Sequence, residues 1–194
     1  MPNVIKFAAT KKFAKLGLLS GALMLTSTFA QAHPWFVADK AKANSEYSSI
    51  LNIPHGCDDN GTIKLTMKVP EGITDAKAEP SEKWKTSTKT TATGTTLVIW
   101  EGGPLPTTQN GEFKVSFKIG DVKPGETIYF PVIQNCEKGG NYRWIEFPTE
   151  GVDEYDLETP APLVEIVAGD LNAADGARDK HGRKVKMAPM GEKK

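Results

Sequence analysis

The sequence is poor in the residues and patterns that would support several common functions. It has two cysteines, three histidines and 8% aromatic residues in 194. Its 24 basic side chains are matched by 24 acidic ones, so it lacks the positive excess with which nucleic-acid-binding proteins contact phosphates. It also lacks a nucleophile elbow, a P-loop, a GxGxxG segment and an HExxH segment. We therefore expect no nucleic-acid partner and no enzymatic activity.

Long hydrophobic runs are also missing. The longest apolar stretch is Leu16–Leu25, ten residues, whereas a membrane-spanning helix needs roughly 20. Four lysines precede this stretch and Ala30-Gln31-Ala32 follows it, which is typical of a secretory signal peptide. We predict cleavage after Ala32 and a periplasmic or secreted product without stable membrane insertion; an uncleaved anchor or an amphipathic helix is the alternative.

The predicted cleavage changes the charge balance. Residues 1–32 carry four lysines and no acidic residue, so the remaining chain has 20 basic and 24 acidic side chains, a net charge of −4. Residues 169–194 are highly charged and have few large apolar side chains. Such a segment cannot bury enough surface to offset the entropy of ordering, and we predict a disordered tail after a domain spanning 33–168.

The two cysteines, Cys57 and Cys136, both lie in the predicted domain. In an oxidising compartment an even pair of cysteines indicates a disulfide. Closing a loop of about 80 residues would contribute at most about 4–5 kcal/mol in the chain-entropy model. A zinc site is the alternative, but no histidine lies at zinc-ligand spacing from either cysteine.

Alternation of apolar and polar residues dominates the domain. Such alternation places one face of a strand on a core and the other in water, and turn-forming segments such as Pro70-Glu71-Gly72 and Gly102-Gly103-Pro104 separate the runs. No window shows a helical period, and seven to nine short strands in one domain predict an all-β, two-sheet β-sandwich. The predicted strands are Ile63–Val69 and Phe113–Ile119, which alternate strictly, and Tyr47–Ile53, Lys83–Thr88, Thr95–Trp100, Thr127–Ile133, Asn141–Phe147 and Pro162–Ala168.

The most informative position is the predicted new N-terminus, His33. An N-terminal histidine offers two nitrogen ligands, its free α-amine and its ring Nδ1, which together can chelate one ion. Imidazole and amine nitrogens suit Cu(II). Pro34 has no amide N–H, so the next backbone nitrogen cannot be deprotonated to bind copper. The alternative is that His33 follows the cleavage site by chance.

The other candidate ligands have weaker support. A copper monooxygenase would also begin with a histidine, but it needs a second one, and only His55 in a predicted turn could serve. His181, Met187 and Met190 of the tail are possible soft copper ligands; chance occurrence in a disordered segment is the simpler explanation.

A series of short motifs in fixed order resembles the YcnI-like copper-binding family of exported proteins. The resemblance covers about residues 33–168. The motifs are Ile53-Pro54-His55-Gly56-Cys57, Val69-Pro70-Glu71-Gly72, Trp84-Lys85, Trp100-Glu101-Gly102-Gly103, Tyr129-Phe130-Pro131-Val132, Cys136-Glu137, Arg143-Trp144-Ile145-Glu146, Pro148 and Thr159-Pro160-Ala161-Pro162.

This resemblance implies an immunoglobulin-like β-sandwich that binds Cu(II) through a single-histidine brace, the chelate formed by the amine and Nδ1 of one histidine. A carboxylate completes the ligand set and a tryptophan lies beside the ion. His33 matches the histidine and Trp144 the tryptophan. For the carboxylate we predict Glu112, with Glu146 and Glu101 as alternatives. The chain departs from the family at Pro34-Trp35, where members usually have an aliphatic residue after the histidine.

Three functions follow as hypotheses. The first is a periplasmic protein that buffers, stores or delivers Cu(II), with another periplasmic copper chaperone or a transporter as a possible partner. The second is a secreted structural or adhesion-type sandwich without a metal role, in which the acidic stretch 146–158 and exposed edge strands contact partners. The third is a copper-dependent oxidase or monooxygenase.

Overall fold

The computed structural model describes residues 33–168, and these are almost entirely β-structure. Two single 3₁₀ turns, Glu137–Gly139 and Glu154–Asp156, are the helical elements in this range. The predicted signal peptide and tail lie outside the described residues. The strands are β1 Trp35–Phe36, β2 Lys40–Lys42, β3 Glu46–Ile53, β4 Thr62–Lys68, β5 Ile73–Ala78, β6 Trp84–Thr90, β7 Thr96–Leu105, β8 Gly111–Ile119, β9 Thr127–Tyr129, β10 Val132–Cys136, β11 Asn141–Trp144 and β12 Leu163–Val167.

The strands form three sheets. A four-stranded sheet has the order β1-β3-β8-β5, a five-stranded sheet has the order β11-β10-β4-β7-β6, and a small third sheet has the order β2-β12-β9. The alternating residues of β8 are buried on one face and mostly exposed on the other, as the sequence pattern requires. The apolar faces of all three sheets share one core. The prediction of an all-β sandwich is therefore confirmed.

Aromatic side chains fill the centre of this core. Phe117 stacks on both Tyr47 and Phe130, with ring centroids 4.5 and 5.0 Å apart. Phe36 of the edge strand β1 meets Phe130 edge-to-face at 5.1 Å. Such pairs stabilise a core beyond the area they bury, by about 0.5–1.5 kcal/mol each. Phe36 thus anchors β1, and with it the segment that carries His33.

Several strand boundaries differ from the sequence predictions. The strands β1, β2 and β5 were not predicted. β1 and β2 have only two and three residues, which cannot show a period, and the six residues of β5 (ITDAKA) do not alternate strictly. The run Thr127–Ile133 divides at Phe130-Pro131 into β9 and β10, which belong to different sheets; Pro131 lacks the N–H that a continuous ladder needs. The predicted turn Gly102-Gly103-Pro104 lies within β7, where both glycines have positive φ.

The predicted disulfide is confirmed: Cys57 is bonded to Cys136. Cys57 lies in the loop after β3, and Cys136 is the last residue of β10. Because β3 belongs to the four-stranded sheet and β10 to the five-stranded sheet, the bond ties the two principal sheets together next to His55 and Gln134.

The sheet order also fixes the two lateral edges of the sandwich. β5 and β6, the last strands of the two principal sheets, contact each other, so β1 and β11 share the opposite edge. Within residues 33–168, no helix has the length and apolar character needed to cross a membrane.

Candidate functional site

His33 and Trp144 meet at the edge formed by β1 and β11. His33 lies two residues before β1 and is half-buried. Trp144 ends β11 and is 4% exposed. The two ring centroids are 6.0 Å apart, with the planes inclined at 56°. The structure therefore brings together two of the residues that the sequence singled out, from opposite ends of the domain.

Glu146 is the carboxylate at this position. It follows Trp144 by two residues in extended chain, so both side chains point to the same side. Its Oε2 accepts a hydrogen bond of 2.7 Å from the Thr159 backbone N–H, and residue 146 pairs with Pro160 as an isolated bridge. These contacts hold the Glu146 side chain in place, and its charge acts on the His33 imidazole.

The electrostatics of His33 reflect this environment. Burial lowers the pKa of the His33 imidazole below 6.5, and the negative charge of Glu146 opposes this by raising it. Burial is the larger effect because removal from water disfavours the charged ring. At neutral pH His33 is therefore neutral, which is the form that binds metal ions.

A buried hydrogen-bond network orients Trp144. Its indole Nε1 donates to Gln134 Oε1 at 3.0 Å. The Gln134 amide donates in turn to Thr62 Oγ1 at 2.7 Å and to the His55 carbonyl at 2.9 Å. Gln134 is 1% exposed and Thr62 is fully buried. A satisfied buried network of this kind fixes the rotamers of its members, so the indole faces His33 in one orientation.

Tyr142 is a second aromatic neighbour of Trp144. Its ring stacks on the indole with centroids 5.5 Å apart and planes at 25°. Its hydroxyl donates a hydrogen bond to Oδ1 of the exposed residue Asp58. This hydrogen bond raises the pKa of Tyr142 to about 12, with smaller contributions from burial and from the Asp58 charge. His33, Trp144 and Tyr142 thus form a row of successive ring contacts that ends at the partly exposed Tyr142.

The other two candidate carboxylates lie elsewhere. Glu112 pairs with Asn52, and Asn52 pairs with Trp35, so Glu112 lies two strands from β1, roughly 10 Å at ordinary strand spacing. It lines a cleft toward the β5–β6 edge, together with Glu79, Ser81 and Trp84. Glu101 on β7 forms an ion pair with Lys64, N–O 2.6 Å, which lowers its pKa. The structure therefore does not bring our first choice, Glu112, to His33; it places the alternative Glu146 there.

The reason for this difference is the register of the edge strand. No pattern in the sequence indicates β1, and without the pairing of β1 the distance from His33 to β8 cannot be judged. Glu146 lies in the same RWIE motif as Trp144, so the proximity of Trp144 to His33 brings Glu146 with it.

His55 and Gln134 have roles that the sequence did not reveal. His55 Nδ1 contacts the carbonyl of its neighbour Gly56, and its own carbonyl accepts the Gln134 amide; it therefore supports the network below Trp144. Gln134 could have been noticed as a polar residue at a core-facing position of β10, between Val132 and Cys136. His181, Met187 and Met190 lie outside the described residues.

The side chains at this edge supply too few ligands for a metal ion unless the α-amine of His33 is added. The described residues contain no group of three or more histidine, cysteine, aspartate or glutamate side chains that could hold a metal. The His33 imidazole and the Glu146 carboxylate supply two donors. If His33 is the first residue of the chain, its α-amine supplies a third, and this nitrogen and oxygen set fits Cu(II).

Comparison with known proteins shows a family and a fold. Residues 33–166 match the family described as "Domain of unknown function (DUF1775)", and no curated protein matches the sequence. Among solved structures, an uncharacterised protein from Nocardia farcinica with an immunoglobulin-like fold matches with a TM-score of 0.60 and 22% identity, covering 71% of this chain and 99% of that one. A cohesin module from a family 33 glycoside hydrolase of Clostridium perfringens matches with a TM-score of 0.45 and 11% identity, covering 70% of this chain and 96% of that one. The Nocardia likeness shows that the sandwich is immunoglobulin-like.

Proposed function

The chain belongs to the DUF1775 family, the YcnI-like family, and from this premise we propose that it is an exported protein that binds one Cu(II) ion at His33. The observation that carries the proposal is the meeting of His33, Trp144 and Glu146 at one edge of the sandwich. Signal-peptide cleavage after Ala32 would place the free α-amine at this position.

Each ligand in the proposed site has a distinct role. The α-amine and Nδ1 of His33 form the chelate, the brace defined above. Glu146 supplies a negatively charged oxygen, which balances part of the charge of a divalent ion. Pro34 removes the neighbouring amide as a competing ligand, and it is buried between His33 and β1, which restricts how far the N-terminal residue can move.

Trp144 contributes shape and shielding. Its indole forms an apolar wall beside the imidazole, and the hydrogen bond to Gln134 holds that wall in place. Exclusion of water on one side strengthens the electrostatic interaction between the ion and Glu146. A partner protein could approach the ion from the side of Glu146, which is exposed.

The proposed activity is buffering, storage or delivery of copper, with no catalysis. A copper monooxygenase of the two-histidine type would need the His55 imidazole at the metal, but the Nδ1 of that ring contacts the Gly56 carbonyl. The acceptor or donor of copper would be another periplasmic copper chaperone or a transporter.

A structural or adhesive role is the competing proposal, and it would use an exposed apolar surface next to the site. Ile145 and Phe147 alternate with the site residues and are 37% and 50% exposed. The Phe147 ring lies against Tyr129, with centroids 5.2 Å apart and planes inclined at 42°. This apolar surface would serve a partner protein in either proposal, so it does not decide between them.

Calorimetric titration of Cu(II) into protein beginning at His33 tests the proposal. We expect one ion per chain, and loss of that binding in His33→Ala. His55→Ala is the matched control, because it keeps the backbone carbonyl that Gln134 uses while removing the only other described imidazole. Equal binding by the His33→Ala variant would contradict the proposal.

A further inference from the structure

Tyr142, the third ring of the row, has no role in holding an ion. Metal binding needs the His33 imidazole and the wall formed by the Trp144 indole, yet the Tyr142 ring also stacks on that indole. The end of the row is a phenol whose hydroxyl donates to a carboxylate. Indole and phenol are the two side chains most easily oxidised by one electron apart from thiols, and the disulfide leaves no free cysteine in the described part of the chain.

We propose that Trp144 and Tyr142 form an electron-transfer route that carries a one-electron oxidation from the His33 site to the protein surface. This inference rests on the proposed function, because a copper ion bound at His33 would supply one-electron oxidising equivalents in the presence of a reductant and a peroxide. Those oxidising equivalents would otherwise attack the imidazole that binds the ion.

The steps balance in electrons and protons. One electron passes from the Trp144 indole to the peroxide-derived oxidant that would form at the His33 site, which leaves an indole cation radical. One electron then passes from Tyr142 to that radical, and the Tyr142 hydroxyl proton moves to the Asp58 carboxylate. The products are the reduced oxidant, a neutral tyrosyl radical and a protonated Asp58. A reductant of the ascorbate or thiol class then returns one hydrogen atom to Tyr142.

The hydrogen-bond partners give the route its direction. Trp144 donates its N–H to the amide oxygen of Gln134, and an amide is a much weaker base than a carboxylate. The oxidised indole therefore keeps its proton and remains a cation, which is a stronger oxidant than the neutral indole radical. Tyr142 has a carboxylate as its acceptor, so its oxidation and its deprotonation can occur together.

The burial of Trp144 and the exposure of Tyr142 support the same outward direction of radical transfer. Trp144 is 4% exposed, so external reductants do not reach it directly. Tyr142 is only partly buried and Asp58 is exposed, so the radical and the proton both arrive where solvent reductants and water can remove them. A solvent reductant can therefore reduce the radical at Tyr142, the outward end of the route.

The test uses a light-driven oxidant in place of copper. A ruthenium(II) bipyridyl complex is attached to the His33 imidazole of the protein beginning at His33, in a background of His55→Gln and His181→Gln. A laser flash with an oxidative quencher then produces ruthenium(III), and transient absorption follows indole and tyrosyl radicals. We expect an indole radical that decays as a tyrosyl radical appears.

Four variants identify the residues involved. Tyr142→Phe keeps the stacked ring but lacks the hydroxyl, and it should abolish the tyrosyl signal and prolong the indole radical. Trp144→Phe should abolish both signals. Tyr129→Phe and Trp35→Phe are the matched controls, and each should retain the tyrosyl signal. A tyrosyl radical that persists in Tyr142→Phe, or that forms at an unchanged rate in Trp144→Phe, would overturn the proposal.

A second measurement adds copper. Copper-loaded protein is exposed to ascorbate and hydrogen peroxide, and peptide mass spectrometry measures oxygen addition to His33. Oxidation of His33 should rise severalfold in Tyr142→Phe and stay unchanged in Tyr129→Phe; equal oxidation in all three proteins would contradict a protective role. Copper titration of the same samples separates the two proposals, because loss of copper binding would refute the proposed function while the flash experiment still decides the route.

Discussion

The imidazole of His33 lies 6.0 Å from the indole of Trp144, ring centroid to ring centroid, although one residue precedes the first strand and the other ends the eleventh. The contact joins the edge strands of the two principal sheets. Burial of the imidazole lowers its pKa, and the negative charge of Glu146 opposes this by raising the pKa. These two opposing effects determine the protonation of His33.

The first prediction concerns the carboxylate. Glu146→Gln removes the negative oxygen beside His33 and should weaken Cu(II) binding by at least about tenfold, the lower end of the effect of altered groups around a metal site. Glu112→Gln is the matched control and should leave the affinity unchanged. Calorimetric titration measures both. A loss of Cu(II) affinity in Glu112→Gln, with none in Glu146→Gln, would instead identify Glu112 as the carboxylate ligand.

The second prediction concerns the protonation of His33. In copper-free protein, an NMR titration should give His33 a pKa below 6.5, because burial disfavours the charged ring. Glu146→Gln should lower that pKa further, since it removes the charge that raises it. A rise in the Glu146→Gln variant would show that the carboxylate does not act on the imidazole.

The same shift has a consequence for stability. The unfolded state binds a proton at His33 at higher pH than the folded state does, so the folded state loses stability as pH falls from about 6.5 toward the lower folded pKa. The His33→Gln variant should lack this component. Comparison of urea unfolding at neutral pH and at mildly acidic pH measures the difference between the two proteins.

The third prediction concerns Gln134. Gln134→Leu leaves the Trp144 N–H and the Thr62 hydroxyl without their buried partner, which should lower the free energy of unfolding by about 1–3 kcal/mol. It should also change the near-ultraviolet circular dichroism of the indole. Gln109→Leu, at an exposed position, should change neither quantity. An unaltered dichroism spectrum in Gln134→Leu would mean that packing alone orients Trp144.

The fourth prediction concerns Tyr142. Asp58→Asn removes the carboxylate that accepts the hydroxyl proton, so the pKa of Tyr142 should fall from about 12 toward the ordinary value of about 10. Ultraviolet titration of the protein, with Tyr142→Phe to identify the signal, measures this. An unchanged titration would show that the hydroxyl has no hydrogen bond to Asp58.

The sandwich could be predicted from the sequence because strict alternation in β4 and β8 determines which face of each strand is buried. The disulfide could be predicted because only two cysteines exist. The short strand β1 could not, since Trp35–Phe36 carries no period of its own and is held by Phe36 in the core. The choice of carboxylate depended on that strand, and so it required the structure. Gln134 lay in a predicted strand, but its partners Thr62 and His55 come from distant parts of the chain.

The export prediction has a direct test of its own. Mass spectrometry of the protein recovered outside the cytoplasm should give a first residue of His33. A different first residue would leave His33 without a free α-amine, and the described residues would then offer only two donors at this site.

The central claim is that the α-amine and the imidazole of His33 bind copper together. The most direct measurement compares Cu(II) binding by the protein beginning at His33 with binding by a form that has one additional residue ahead of it, by calorimetry and electron paramagnetic resonance. Both forms keep the His33 side chain, Glu146 and Trp144. We predict one tightly bound ion with nitrogen ligation in the first form and loss of that binding in the second. One equivalent bound with equal affinity by both forms would contradict the account.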